Sequence, residues 1–206
     1  MLENSFRAVN IAFIEEWSRF AEAVGIDLFQ VIDAIRMRPT HNNIRQPGFG
    51  VGGYCLTKDP LFPSVTVREF LGRTDLAFPF SEESVRVNNN MPLANLRRLT
   101  ELLGGSLAAR RILVLGAAYR SEVDDTRSSP SETFVRAAQD AGAEVVCHDV
   151  HVRDWQEMGL RLDPALPAAD GFDAVVLAVV LLREQHEVTP WFYLGVAIIV
   201  GAVFLH

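Results

Sequence analysis

The spacing of apolar residues divides the chain into a helical first half and a second half built on short apolar runs. From residue 2 to residue 24, apolar side chains recur every three or four positions, which predicts a long helix with one buried face that ends at Gly25. Asp27 is a favourable N-cap for the helix that follows. The pattern predicts further helices over residues 28–35, 60–71 and 79–103, with a loop over residues 38–54. The first half is therefore expected to be mostly α-helical.

The second half begins after Gly-Gly-Ser at residues 104–106, where the pattern changes to short apolar runs. The runs RILVLG, EVVCH and DAVVLAVVLL are typical of buried parallel strands. Ser129 and Pro130 suit the N-cap and first turn of a helix between the first two runs. The order strand, helix, strand, strand predicts a parallel α/β layer. We therefore expect a helical domain over residues 1–103, an α/β domain over 107–182 and an apolar tail over 183–206.

Composition and charge exclude several classes of protein. The chain of 206 residues carries a net charge of −7, which disfavours binding to the phosphate backbone of nucleic acids. Cys55 and Cys147 give no disulfide framework, so reduced thiols and a cytoplasmic location are expected. The first residues lack the pattern of a signal peptide.

The C-terminal tail is unusual because residues 188–205 contain no charged side chain. As a helix this stretch would extend about 27 Å, slightly less than the hydrocarbon core of a bilayer. A membrane segment, a packed terminus and an out-of-frame ending remain open, and membrane contact is less favoured than the other two taken together.

The residues with the clearest chemistry lie in a glycine-rich loop, GFGVGGYCLTKDP, at residues 48–60. Glycines permit close approach of a ligand to the backbone, and Cys55 is followed closely by Lys58 and Asp59. Lys58 is the only lysine in the sequence, and a cation beside a thiol favours the thiolate. A thiolate next to a carboxylate has the parts of an activated nucleophile with an adjacent base. The alternatives are an inert apolar cysteine and a solvated helix start.

This loop resembles the active-site segment of the nucleotide-sugar 6-dehydrogenases, the UDP-glucose and GDP-mannose dehydrogenase family. LENSFRAVNIAFIEEWSRFAEAVGID is similar to the family's long central helix, VNNNMP to the segment returning toward the last domain, and LGAAYRSEVDDTRSSP to that domain's nucleotide-binding turn. The resemblance implies an all-α central dimerisation domain followed by a truncated Rossmann-like parallel α/β domain that binds a UDP-sugar.

The resemblance also implies an NAD-dependent oxidation of the sugar C6 alcohol through an aldehyde to a carboxylate. Cys55 would attack the aldehyde to form a thiohemiacetal, which would be oxidised to a thioester and hydrolysed. Asn4 would polarise the sugar oxygen, and Asp59 would assist proton transfer. The sequence ENSFRAVNIAF is closer to the N-acetylhexosamine branch than to the glucose branch.

Substrate binding is expected from the same loop and from the α/β domain. The residues implied are Phe49, Gly50, Gly52, Gly53, Lys58 and Arg127. Without the resemblance, Arg127 is as easily explained by a surface ion pair with a neighbouring aspartate. Arg120 stands where the family often has lysine. CHDVH at residues 147–151 has metal-ligand residue types, but side chains of a strand alternate between faces, so no metal site is expected.

Two departures from the family pattern affect the expected activity. Family members begin with a Rossmann domain that binds NAD, and this sequence starts where that domain should already have ended. The family's catalytic lysine lies four residues before the asparagine, so relative to Asn4 the lysine would fall ahead of Met1. We therefore expect a fragment of a dehydrogenase that shows no NAD reduction alone. The alternative is a non-catalytic interaction module that forms a homodimer through the first long helix.

Overall fold

The computed structural model describes residues 1–168 and 170–178. Most of the first hundred residues are helical, and we refer to residues 1–103 as the helical region. Its α-helices are α1 (Leu2–Val24), α2 (Leu28–Arg36), α3 (Tyr54–Lys58), α4 (Phe62–Val65) and α5 (Pro79–Leu102). Short 3-10 turns occur at Pro39–His41 and Asp59–Leu61, and a π-helical turn occurs at Thr66–Phe70.

The helices predicted over residues 2–24, 28–35 and 79–103 are confirmed, whereas the short helix α3 was not predicted. Gly25 ends α1 in the left-handed conformation at φ 73°, and the Asp27 side chain accepts hydrogen bonds from the first amides of α2. The predicted helix over residues 60–71 is instead a succession of 3-10, α and π turns. Prolines at the starts of its first two segments cannot donate backbone hydrogen bonds.

The region after residue 106, called the α/β region, contains a three-stranded parallel sheet. Its elements are β1 (Arg111–Leu115), α6 (Pro130–Asp140), β2 (Glu144–His148), β3 (Asp154–Trp155), β4 (Leu160–Arg161) and β5 (Ala174–Leu177). The strand order of the sheet is β2-β1-β5, and both pairings are parallel. The predicted combination of α and α/β architecture is confirmed.

The small antiparallel pair of β3 and β4 was not predicted. It has two residues in each strand, too few to give an alternating pattern. The pair places Trp155, which is fully buried, in the core of the α/β region.

The long helix α1 differs from its prediction in the face that it buries. Its small residues Ala8, Ala12 and Ala21 are buried together with Ile14, because close packing against α5 favours small side chains. The large apolar side chains that produced most of the periodicity are about half exposed. They are Phe6, Phe13, Trp17, Phe20 and Val24, and we call them the α1 stripe.

None of the helices within the described ranges is both long and apolar enough to cross a membrane. The apolar tail over residues 183–206 lies outside those ranges, and so does the end of the predicted third apolar run. The prediction for the tail therefore stays open.

Candidate active site

The glycine-rich loop delivers Cys55 to the surface at the start of a short helix. Gly53 has φ 75°, a conformation that glycine adopts without strain, and α3 begins at the next residue. The Thr57 hydroxyl donates a hydrogen bond to the Gly53 carbonyl at 2.7 Å, which stabilises this turn. Cys55 is exposed and is a free thiol. The local sequence thus presents the thiol to solvent on a constrained backbone.

Two of the predicted catalytic residues, distant in sequence, are in direct contact. The Asn4 side-chain amide donates a hydrogen bond to the Asp59 carboxylate at 2.7 Å, and both residues are partly buried. Asn4 lies in the first turn of α1, whereas Asp59 directly follows the helix of Cys55. This bond joins the start of α1 to the cysteine helix and fixes the position of the carboxylate.

Three of the loop glycines lie against the α/β region. A Cβ atom on Gly50 would lie 2.4 Å from the Cβ of Pro130, and a Cβ on Gly52 would lie 2.5 Å from the Cβ of Tyr119. A Cβ on Gly53 would lie 2.9 Å from the Tyr119 ring. The glycines are therefore required by the docking of the loop, which is a separate reason from the predicted ligand contact.

Phe49 also contributes to this docking. Its side chain is buried in the α/β core, where its ring centroid lies 5.3 Å from that of Phe134. Its carbonyl accepts a hydrogen bond from the Asn95 side chain at 3.1 Å. The ring is therefore a packing group, and only the backbone of Phe49 remains for the predicted sugar contact.

The two predicted substrate-binding cations come close to the same aromatic ring. The Nζ atom of Lys58 lies 4.4 Å from the centroid of the Tyr54 ring, and the guanidinium carbon of Arg127 lies 4.7 Å from it. Arg127 also donates two hydrogen bonds to Asp125, at 2.8 and 2.6 Å, so the ion pair considered from the sequence is present. Arg127 lowers the pKa of Asp125 to about 2.

A cavity of about 390 Å³ next to the loop is lined by residues of both the helical region and the α/β region. Arg7, Arg45 and Arg120 line it together with Phe49 and Gly50, and no acidic residue occurs among the described residues around it. Sequence reasoning missed Arg7 and Arg45. Arg7 could have been found from its spacing, because it lies three residues after Asn4 and hence on the same side of α1. This cavity is suited to an anionic ligand.

A second cavity, of about 490 Å³, lies at the carboxyl ends of the parallel strands. Its lining is mainly apolar, with Val123, Val150 and Leu166 among its residues, and it shares Arg120 and Ser121 with the first cavity. In open α/β sheets, ligands bind in the crevice at the carboxyl ends of the strands. The two cavities together therefore provide an apolar compartment next to a cationic one.

The turn after β1 is occupied by a side chain of the protein itself. The Asp149 carboxylate accepts backbone hydrogen bonds from Ala117 and Ala118, at 2.8 and 3.2 Å, and from His151 and Val152, at 2.8 and 3.2 Å. Burial raises the pKa of Asp149, but these four bonds together hold it below its usual value. Because a carboxylate occupies these amides, the turn does not fit the pyrophosphate of NAD.

The remaining metal-type residues near Asp149 do not converge on one point. Cys147 is half-buried, and burial raises the pKa of its thiol to about 12. Within residues 1–168 and 170–178, no group of three or more His, Cys, Asp or Glu side chains could hold a metal ion. Asp149 thus has a structural explanation in the turn that it caps.

Comparison with known protein families gives two matches that follow one another along the chain. Residues 1–90 match the central domain of the UDP-glucose/GDP-mannose dehydrogenase family, and residues 113–186 match the UDP binding domain of the same family. The first match falls within the helical region, and the second begins in the α/β region.

Individual relatives are named as dehydrogenases of UDP-sugars. The UDP-N-acetyl-D-mannosamine dehydrogenase of Methanocaldococcus jannaschii is 33% identical over 187 residues, which cover 91% of this chain and 40% of that protein. The UDP-glucose 6-dehydrogenase of Rhizobium meliloti is 33% identical over 188 residues, covering 89% of this chain and 41% of that protein. The chain thus spans about two fifths of the length of these relatives.

Solved structures support the same relationship. The NDP-N-acetyl-D-galactosaminuronic acid dehydrogenase of Methanosarcina mazei superposes with a TM-score of 0.75 at 31% identity, over 87% of this chain and 39% of that chain. A UDP-glucose dehydrogenase of Pyrobaculum islandicum superposes with a TM-score of 0.73 at 28% identity, over 87% and 42% of the two chains. On the two successive matches and these relatives, the chain belongs to the UDP-glucose/GDP-mannose dehydrogenase family.

Proposed function

We propose that this chain carries the thiol and the substrate-binding part of a nucleotide-sugar 6-dehydrogenase, an oxidoreductase that acts on the C6 alcohol of a UDP-sugar. The observation that supports this most directly is the hydrogen bond between Asn4 and Asp59 beside the exposed Cys55. The three residues that the resemblance implicates in catalysis come from two separate segments, and the fold brings those segments together.

The roles proposed for these residues are those that the resemblance implies, and their chemistry is compatible with them. The Cys55 thiolate would add to the carbonyl carbon of a C6 aldehyde, and the carbonyl oxygen would take up a proton to give a thiohemiacetal. Asp59 would be the group that moves this proton, and Asn4 would orient the carboxylate and polarise the sugar oxygen. NAD is the proposed hydride acceptor of the dehydrogenase, and the turn after β1 does not fit its pyrophosphate.

The two cavities suggest how a UDP-sugar would lie. The base would occupy the apolar cavity at the carboxyl ends of the strands, and the diphosphate would lie near Arg120, where the two cavities meet. The sugar would then point past Arg7 toward the glycine loop, whose backbone at Gly50 lines the cationic cavity. Lys58 and Arg127 would add positive charge near the thiol. An N-acetylhexosamine is the proposed sugar, in agreement with the names of several relatives.

A protection experiment tests this proposal without requiring turnover. UDP-N-acetylhexosamine should slow alkylation of Cys55 by iodoacetamide, as followed by mass spectrometry, and cytidine monophosphate should not. Arg7→Gln should weaken this protection about tenfold, because it removes a cation from a partly enclosed anion site. Arg97→Gln, an exposed arginine outside both cavities, is the matched control. Equal protection by all nucleotides, or none by UDP-sugars, would contradict the proposal.

A second function, dimerisation through the α1 stripe, is supported by a separate observation. The five residues of the stripe repeat at spacings of seven, four, three and four, so they form one narrow line along a 23-residue helix. The Trp17 ring contacts those of Phe13 and Phe20, with centroids 6.1 and 5.7 Å apart, and each ring remains about half exposed. A second copy of the same helix, related by a two-fold axis, would cover this line with an identical one.

Sedimentation velocity tests the dimer. The wild-type chain should sediment as a dimer at micromolar concentration, and Trp17→Glu should shift it to a monomer, because it places a charge in the centre of the stripe. Phe70→Glu, which changes an 80% exposed aromatic residue on another element, is the control and should leave the dimer intact. A monomeric wild-type chain would refute the dimer and leave the proposal for Cys55 untouched.

A further inference from the structure

Tyr54 stands between Gly53 and Cys55 and has no part in the function proposed above. Its side chain is 47% exposed at the first position of α3. Lys58 and Arg127 both lie over its ring, at 4.4 and 4.7 Å from the centroid. One aromatic side chain therefore contacts two cations, one from the helical region and one from the α/β region.

Each cation reaches the ring for a distinct structural reason. Lys58 lies four residues after Tyr54 on α3, where side chains at this spacing are neighbours on the helix surface. Arg127 comes from the segment before α6, and its bidentate pairing with Asp125 fixes the plane of its guanidinium group. The face of an aromatic ring carries negative charge density that attracts such cations, more so when they are partly shielded from water.

We propose that Tyr54 is a positioning residue whose ring holds Lys58 and Arg127 beside Cys55, so that the surroundings of the thiol attract anions. Cys55 directly follows Tyr54 and lies three residues before Lys58, which makes the thiol and the ammonium neighbours on α3. Asp125 forms an ion pair with Arg127, and Asp59 accepts a hydrogen bond from the uncharged Asn4, so Lys58 is the cation at this ring that forms no salt bridge with a carboxylate of the described residues. The anionic ligand class is a nucleoside diphosphate, and in naming it the inference rests on the proposed function.

The local attraction of anions can be measured from the thiol alone. Two disulfide reagents, the dianion dithiobis(nitrobenzoate) and the neutral dithiodipyridine, both oxidise a thiolate to a mixed disulfide and release an aromatic thiolate. The ratio of their second-order rate constants reports the charge near Cys55, because a change in exposure of the thiol affects both reagents alike. A Cys147→Ala background leaves Cys55 as the single thiol of the chain.

Two substitutions separate the ring face from the bulk of the side chain. Tyr54→Phe keeps the ring and should leave the ratio of the two rate constants within about twofold of wild type. Tyr54→Leu keeps an apolar side chain without a π face and should lower the ratio about threefold or more. About 0.5 M sodium chloride should remove most of the difference between the two variants, because screening weakens exposed charges.

An unchanged ratio in Tyr54→Leu would overturn the proposal, and so would an equal loss in Tyr54→Phe, since the hydroxyl group would then hold Arg127. If Tyr54→Leu unfolds, Tyr54→Met in the same Cys147→Ala background provides the second route, because methionine also lacks a π face, and the ratio should again fall. Failure of UDP-sugar protection with an intact reagent ratio would refute the proposed substrate and leave the role of Tyr54 standing.

Discussion

Substitution of Gly52 by alanine should weaken the docking of the cysteine loop against the α/β region and lower the free energy of unfolding. A Cβ at this position would lie 2.5 Å from the Tyr119 Cβ and 2.7 Å from the Ser128 carbonyl oxygen. Both are close to the backbone of the α/β region, so neither can move aside as the end of a flexible side chain would. An added carbon in a site already packed at this distance costs about 1–3 kcal/mol.

Urea unfolding followed by circular dichroism measures this cost. With a urea dependence of about 1–3 kcal/mol per molar, a loss of about 2 kcal/mol lowers the midpoint by about 1 M. Gly48→Ala is the matched control, because a Cβ there meets nothing within 4 Å and its φ is not in the left-handed region. The control should change the free energy of unfolding by less than about 0.5 kcal/mol, or stabilise slightly.

If Gly52→Ala and Gly48→Ala unfold at the same urea concentration, the loop does not dock against Tyr119 and Ser128 as described. A second measurement, the rate of alkylation of Cys55 by the neutral reagent iodoacetamide, should rise in Gly52→Ala because the loop loosens, and should stay unchanged in Gly48→Ala.

Three further predictions concern the contacts around the site. Phe49→Ala should lower the free energy of unfolding by about 3–5 kcal/mol, because it removes a buried ring packed on Phe134; a loss below about 1 kcal/mol in urea unfolding would contradict this packing. Asp149→Asn should cost about 1–3 kcal/mol at neutral pH, because an amide cannot accept from four backbone N–H groups. Since the folded-state pKa of Asp149 is lowered, its contribution is present above its ordinary pKa of 3.8 and is lost as the pH falls through the folded-state value, so the two unfolding curves should converge in acid. Alanine substitutions of Asn4 and Asp59 should show a coupling free energy of about 0.5–3 kcal/mol in a double-mutant cycle, and purely additive effects would argue against their hydrogen bond.

Much of the secondary structure could be predicted from sequence, because it depends on local signals. The three-and-four spacing predicted α1 and α5, Gly25 and Asp27 supplied the helix end and cap, and apolar runs predicted the three parallel strands. The pair β3 and β4 escaped prediction because two residues in each strand are too few for a pattern. Prolines divided the helix expected over residues 60–71 into different turn types.

The candidate site was only partly accessible from the sequence. Cys55 and Asp59 are close along the chain, so their proximity could be inferred, whereas the contact of Asp59 with Asn4 spans 55 residues and depends on the packing of α1 against the cysteine segment. Arg7 and Arg45 could not be assigned to a shared cavity, because a cavity exists only between packed elements. Arg7 nevertheless had a local signal in its spacing from Asn4.

The sequence by itself identified the residues proposed to carry the chemistry of this protein: a cysteine on a glycine-rich loop, followed by a lysine and a carboxylate. Only the tertiary structure decided what the glycines and the neighbouring aromatic residues do. Gly50 and Gly52 leave space for Pro130 and Tyr119, and Tyr54 meets cations from both regions. Periodicity and turn signals report the needs of a segment's own backbone, whereas these contacts depend on atoms that the fold brings from far along the chain.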